Sequence, residues 1–160
     1  MIKALKIYCD AFFTNCKIEI KKPGDEWDTG KKLPIDFFIE NKIKMRDDST
    51  DPDRQAYTED ILSKLLQYKK KDTYAILGVT MLDLYPGIKW SYVFGWANFG
   101  RGTGVFSFKR YHPDFTSENT YADYVRLACH TMAHEIGHMF ALHHCPYYEC
   151  LMNGYNSMDE

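Results

Sequence analysis

Residues 134 to 138 read His-Glu-Ile-Gly-His. On an α-helix, side chains four residues apart share a face, so His134 and His138 can offer two imidazole nitrogens to one cation. Glu135 stands one step round the helix and is out of position to ligate from that face. It is placed instead to act as general base on a water at the cation. These residue types together imply zinc-assisted attack of water on a carbonyl. An open tetrahedral zinc site needs one more protein ligand. His144 lies ten positions after His134, and a straight helix would carry it almost three turns away. The chain must therefore bend after His138. Such a bend needs a positive φ and favours glycine, yet the position holds Ala141. An alanine there costs on the order of 1 kcal/mol. His143 is an alternative ligand, and His144 is preferred at the ten-residue spacing. Met152 follows at a distance suited to a turn beneath the metal. His112 and His130 read as surface or capping residues.

The elements that must position these groups follow from hydrophobic patterning. A long helix over about 119 to 142 carries the motif, with Leu127, Met132, Ile136, Met139 and Phe140 available for packing. Residues 74 to 81 form an apolar run without alternation, expected as a strand buried on both faces. Trp90 to Ala97 and Thr103 to Phe108 are further strands, joined by the glycine-rich bend Gly100 to Gly104. A turn is expected at Pro86-Gly87. Ile61, Leu62, Leu65, Leu66 and Tyr68 recur at helical spacing and predict a helix over about 54 to 70. Upstream, residues 3 to 9 read as a strand, and the alternation Lys17 to Lys21 as a half-buried strand, a helix or irregular segment remaining open there. Residues 22 to 34 and 46 to 53 read as loops. The expected architecture is α+β, with residues 1–160 forming one domain.

Composition bounds the function. The chain has 160 residues, of which 45% are hydrophobic, so it can bury a core. With 20 basic against 22 acidic residues, it lacks the basic excess of a nucleic-acid binder. The run Lys69-Lys70-Lys71 reads as a solvated helix C-terminus. The five cysteines Cys9, Cys16, Cys129, Cys145 and Cys150 are an odd count, which argues against a secreted disulfide framework. The lysine-broken N-terminus is not a signal peptide, and no window approaches the roughly 18 apolar residues of a membrane span. A cytoplasmic monomer is expected, with no nucleic-acid or membrane partner.

The stretch His134 to Met152, HEIGHMFALHHCPYYECLM, resembles the signature of the archaemetzincins, a family of metzincin zinc metallopeptidases. His134, Glu135, His138, His144, Cys145, Cys150 and Met152 match that signature position by position. Gly78 to Pro86 and Gly104 to Phe108 are also similar to the family's catalytic domain, so the resemblance covers most of residues 57 to 160. It lies nearest the eukaryotic members. It implies a compact metzincin-like domain with a twisted mixed sheet packed on the active-site helix. It implies one catalytic zinc, and substrate lying along an edge strand near Val93 to Asn98. The chain departs from the family at Ala141, where the signature has glycine. It also lacks the downstream Cys-x-x-Cys pair that would join Cys145 and Cys150 around a second zinc. A complete structural zinc site is therefore not expected, and the chain reads as C-terminally truncated.

The expected function is hydrolysis of a peptide or protein substrate, with Glu135 as general base and His134, His138 and His144 on zinc. The alternative is a zinc-stabilised, catalytically weak or inactive relative serving as an interaction module. Phe94, Trp96 and Phe99 are candidates for a pocket lining as well as for core. Tyr147, Tyr148 and Tyr155 are candidates for stabilising an oxyanion.

Overall fold

A computed structural model describes residues 2–26, 34, 36–47, 54–111 and 118–154, with side chains from residue 121 in the last of these segments. The chain opens with helix α1 (Ile2–Phe12), where a strand is expected from the apolar run. Leu5 and Cys9, one helical turn apart, are buried against the long helix, while Lys6 and Asp10 pair on the exposed side. A 3.6-residue period, not a two-residue one, is what this segment buries. The alternating segment Lys17 to Lys21 joins no ladder. Ile18 packs at the edge of the core beside α1, so its alternation reflects a local contact.

After α2 (Phe37–Glu40), capped at its start by the Asp36 side chain accepting from Ile39 N–H at 3.0 Å, come β1 (Met45–Asp47) and β2 (Arg54–Tyr57). The helix expected over 54 to 70 is shorter at both ends. Its first residues are β2, which runs parallel to β4 (Asp83–Tyr85), and α3 spans Thr58–Leu65 before a 3-10 turn at Leu66–Tyr68. Strand pairing outweighs the local helical pattern over these four residues. The first sheet thus has the order β1-β2-β4.

The second sheet has the order β3-β6-β5. Strand β3 (Ile76–Thr80) runs parallel to β6 (Thr103–Ser107), and β5 (Gly95–Asn98) runs antiparallel to it. Every residue of central β6 is buried. In β3 only Ile76 is fully buried and Val79 is 39% exposed, so the expectation of burial on both faces fails at its far end. Of the strand expected over 90 to 97, only the part from Gly95 enters the ladder. Val93, two residues before β5, makes a single antiparallel bridge to Leu84 of β4. Helix α4 (Glu118–Met139) packs on β5 and β6. One core, around Phe106, Met132 and Met139, lies beneath α4, and a second, around Leu62, Leu84 and Val105, lies beneath α3. The result is the expected α+β fold, with two small mixed sheets in place of one. Among the described residues, no helix is long and apolar enough to cross a membrane.

Candidate metal centre

The end of α4 shapes the centre. Leu142 N–H donates to Gly137 O at 3.0 Å and Ala141 N–H to His138 O at 2.9 Å. These two bonds are a Schellman C-cap, with Ala141 at the left-handed position. Its φ is 66°, the conformation anticipated for this bend. The hairpin between β5 and β6 adds a further cap, since Gly100 N–H donates to His138 O at 3.1 Å. The reversal turns the chain back along the helix and brings His144 to the first two histidines.

The side-chain nitrogens of His134, His138 and His144 all lie within 4.8 Å of one another. His144 Nε2 is 3.2 Å from His134 Nε2 and 3.1 Å from His138 Nε2. Ligands on a tetrahedral zinc at about 2.0–2.1 Å would stand at closely similar separations. The other ring nitrogens carry the protons. His134 Nδ1 lies 2.8 Å from the Leu151 carbonyl and His138 Nδ1 2.7 Å from the Leu142 carbonyl. A carbonyl only accepts, so each Nδ1 donates and each Nε2 lone pair faces inward. Burial lowers the pKa of both rings, and the neighbouring histidines lower it further, against the opposing pull of the two carbonyls. Neutral imidazoles with converging lone pairs fit a zinc ion well. His143 points elsewhere, its ring 4.2 Å from that of Phe99. His130 lines the adjoining cleft, and His112 lies outside the described residues.

The loop after α4 is held by contacts that sequence patterning does not reveal. Asn153 Nδ2 donates to Cys145 O at 2.8 Å and Asn153 Oδ1 accepts from Cys150 N–H at 2.6 Å. Cys145 N–H donates to Met152 O at 2.8 Å. This clip holds the Leu151 carbonyl against His134. Met152 is buried with its sulfur on Gly137, where a β-carbon would approach to 2.4 Å. The glycine between the first two histidines is therefore the seat for Met152. Cys145 and Cys150 are free thiols. The Tyr147 and Tyr148 backbone N–H groups, and then Cys150, hydrogen-bond the Cys145 sulfur and lower its pKa.

Glu135 is only 8% exposed. Burial pushes its pKa up to about 8. It lies under β5, where Gly95 leaves room for it. Both residues line a cleft of about 1150 Å³ together with the three histidines. That volume exceeds the roughly 300–1,000 Å³ usual for small-molecule pockets. Phe94, Trp96 and Phe99 all line it, and the first two also pack at the edges of the cores. Tyr147 and Tyr148 are exposed and lie outside its lining, while Tyr155 falls outside the described residues. The sequence reading missed Tyr111, a buried member of the lining whose hydroxyl is hydrogen-bonded to Thr131 and whose pKa is raised, chiefly by burial. It also missed Gly95, although a glycine inside a strand is a signal of close approach.

The molecule is thus an α+β protein in which three histidines that could hold a metal ion converge beside a buried carboxylate. The chain belongs to Peptidase family M54, whose model matches residues 12–160, the archaemetzincin family of zinc metallopeptidases. It is 34% identical over 185 residues to archaemetzincin-2 of Mus musculus, covering 99% of this chain and 48% of that protein. It is 31% identical over 141 residues to archaemetzincin-1 of Homo sapiens, covering 70% of this chain and 28% of that protein. The chain spans about half the length of the archaemetzincin-2 relatives it matches, 48% in each case. Among solved structures, archaemetzincin from Methanopyrus kandleri superposes with a TM-score of 0.67 at 23% identity, covering 98% of this chain and 72% of that one. A zinc-dependent peptidase from Methanocorpusculum labreanum superposes with a TM-score of 0.53 at 28% identity, covering 63% of each.

Proposed function

We propose that this chain is a zinc-dependent peptidase, with His134, His138 and His144 as the zinc ligands and Glu135 as general base. The observation that carries the reading is the convergence of three imidazole nitrogens, two with Nδ1 tied to a carbonyl, in the cleft that also holds Glu135. Zinc bound there would supply a Lewis acid and lower the pKa of a water toward about 7. The Glu135 carboxylate would take a proton from the attacking water and deliver it to the departing amine. Met152 and Asn153 keep the ligand loop in register. Family membership supports this reading.

Strand β5 supports a binding mode. It pairs with β6 on one side and lines the cleft on the other. A substrate backbone would add to that edge through main-chain hydrogen bonds, which tolerate many sequences.

Peptide-library cleavage by the zinc-loaded chain tests the proposal, with Glu135→Gln as the control that keeps zinc and loses turnover. Equal cleavage by that variant would refute the mechanism. Absence of metal-dependent cleavage of any library member would favour the interaction-module reading.

A further inference from the structure

Residues 86–92 belong to no strand or helix, yet Trp90, Ser91 and Tyr92 line the cleft. What holds them is a polar network built from the first sheet. Its centre is Asp83 on β4, which is fully buried, beside Gln55 on β2, also fully buried. Gln55 Nε2 donates to Asp83 Oδ2 at 2.6 Å and to Ser91 O at 2.8 Å. Gln55 Oε1 accepts from Arg46 Nε at 2.6 Å. Arg46 Nη2 then donates to Trp90 O at 2.6 Å and Ser91 O at 2.8 Å, and its guanidinium lies 4.1 Å from the centre of the Tyr85 ring. A second arm leaves Asp83 through Arg110, whose Nη2 donates to Asp83 Oδ2 at 2.6 Å. That guanidinium lies 3.8 Å from the centre of the Tyr92 ring, and Tyr92 in turn meets Phe94 edge-on at 5.5 Å.

The two arms therefore end on three consecutive residues of the cleft wall, the first on Trp90 and Ser91 and the second on Tyr92. A buried carboxylate is held only when its acceptor sites are filled, and here they are filled by groups that also grip this wall. The planar fork of Arg46 binds Gln55 and two consecutive carbonyls at once, which a lysine ammonium cannot reproduce. We propose that Arg46 and Asp83 are positioning residues for substrate, acting through Trp90, Ser91 and Tyr92. They set the shape of the cleft wall that precedes Gly95, the residue against Glu135, and so determine how the part of a peptide lying along that wall is bound. The proposal rests on the peptidase reading, because it assigns the cleft to a peptide.

The experiment uses the zinc-loaded Glu135→Gln protein, in which turnover does not disturb binding. Blocked peptides of about three and about eight residues, both able to reach the zinc, differ in whether they can extend to the wall, at roughly 3.3–3.6 Å per residue. Into that background go Arg46→Ala, Arg46→Lys and Asp83→Asn. The expected result is a Kd for the longer peptide raised roughly tenfold by Arg46→Ala and by Asp83→Asn, and less by Arg46→Lys. The short peptide and zinc itself should keep their affinities. Hydrogen exchange of the 87–93 amides should quicken in each variant. An equal loss for both peptide lengths would overturn the positioning role, as would an unchanged Kd for the longer one. If the unmutated background binds neither peptide, the peptidase reading fails and the substrate role falls with it. Unaltered exchange in the variants removes the anchoring itself, whatever the peptides do.

Discussion

Gly95 of β5 lies directly against the side chain of Glu135. A β-carbon at residue 95 would stand 2.4 Å from Glu135 Cγ and 2.8 Å from its Oε1. The edge strand and the proposed general base are thus fitted to each other, and no side chain can occupy that strand position without moving the carboxylate.

Gly95→Ala should therefore retain zinc and lose activity. A displacement of a catalytic group by about 1 Å can cost on the order of 100-fold in rate. Zinc content and kcat/KM measured together check this, and a fully active Gly95→Ala protein would show that the contact has no catalytic consequence.

The ligand assignment predicts different behaviour for two adjacent histidines. His144→Ala should weaken zinc binding beyond the roughly 10–100-fold typical of losing an outer-shell partner. His143→Ala should leave it nearly unchanged, because the His143 ring packs against Phe99, tilted at 31° to it. Competition with a chromogenic chelator measures both.

Metal removal should destabilise the fold around the C-terminal loop. Zinc at about 100 times its Kd would add roughly 2.7 kcal/mol. The thermal midpoint should fall on dialysis against a chelator and recover on adding zinc. In His144→Ala the response should be small.

Ala141 occupies the left-handed position of the helix cap with φ 66°. Ala141→Gly should raise stability by about 1 kcal/mol, since the left-handed penalty outweighs the entropy lost by glycine. For a chain of this size that is roughly 2–4 °C in Tm. A lowered Tm with intact zinc binding would contradict this account of the cap.

Stability at alkaline pH should report on Cys9. Burial, with Cys129 nearby, pushes its pKa up from 9.0 to about 11. The folded state thus favours the neutral thiol. Its contribution is complete below about pH 9 and is lost as pH rises through 11. Thermal melts across that window should fall more steeply for the parent than for Cys9→Ala, and parallel curves would contradict the burial argument.

Much of the centre could be read from residue spacing. The pair His134 and His138 and the neighbouring Glu135 follow from helical periodicity, and the bend at Ala141 follows from the need to return His144. These are local properties, because a helix repeats and its cap needs one positive φ. The elements misread were those whose state depends on partners distant in sequence. The stretch from Arg54 to Tyr57 is a strand because β4 pairs with it, and α1 is a helix because Leu5 and Cys9 pack into the core beneath α4. Which residues lie against Glu135 and His134 also required the folded chain. Gly95 is 40 positions from Glu135, and the Leu151 carbonyl reaches His134 across 17. The sequence by itself determined which candidate ligands share one helix face, since residue types and a helical repeat are written in consecutive residues. Only the tertiary structure decided the cleft and its wall, because close packing and buried hydrogen bonds are relations between residues that the chain brings together from afar.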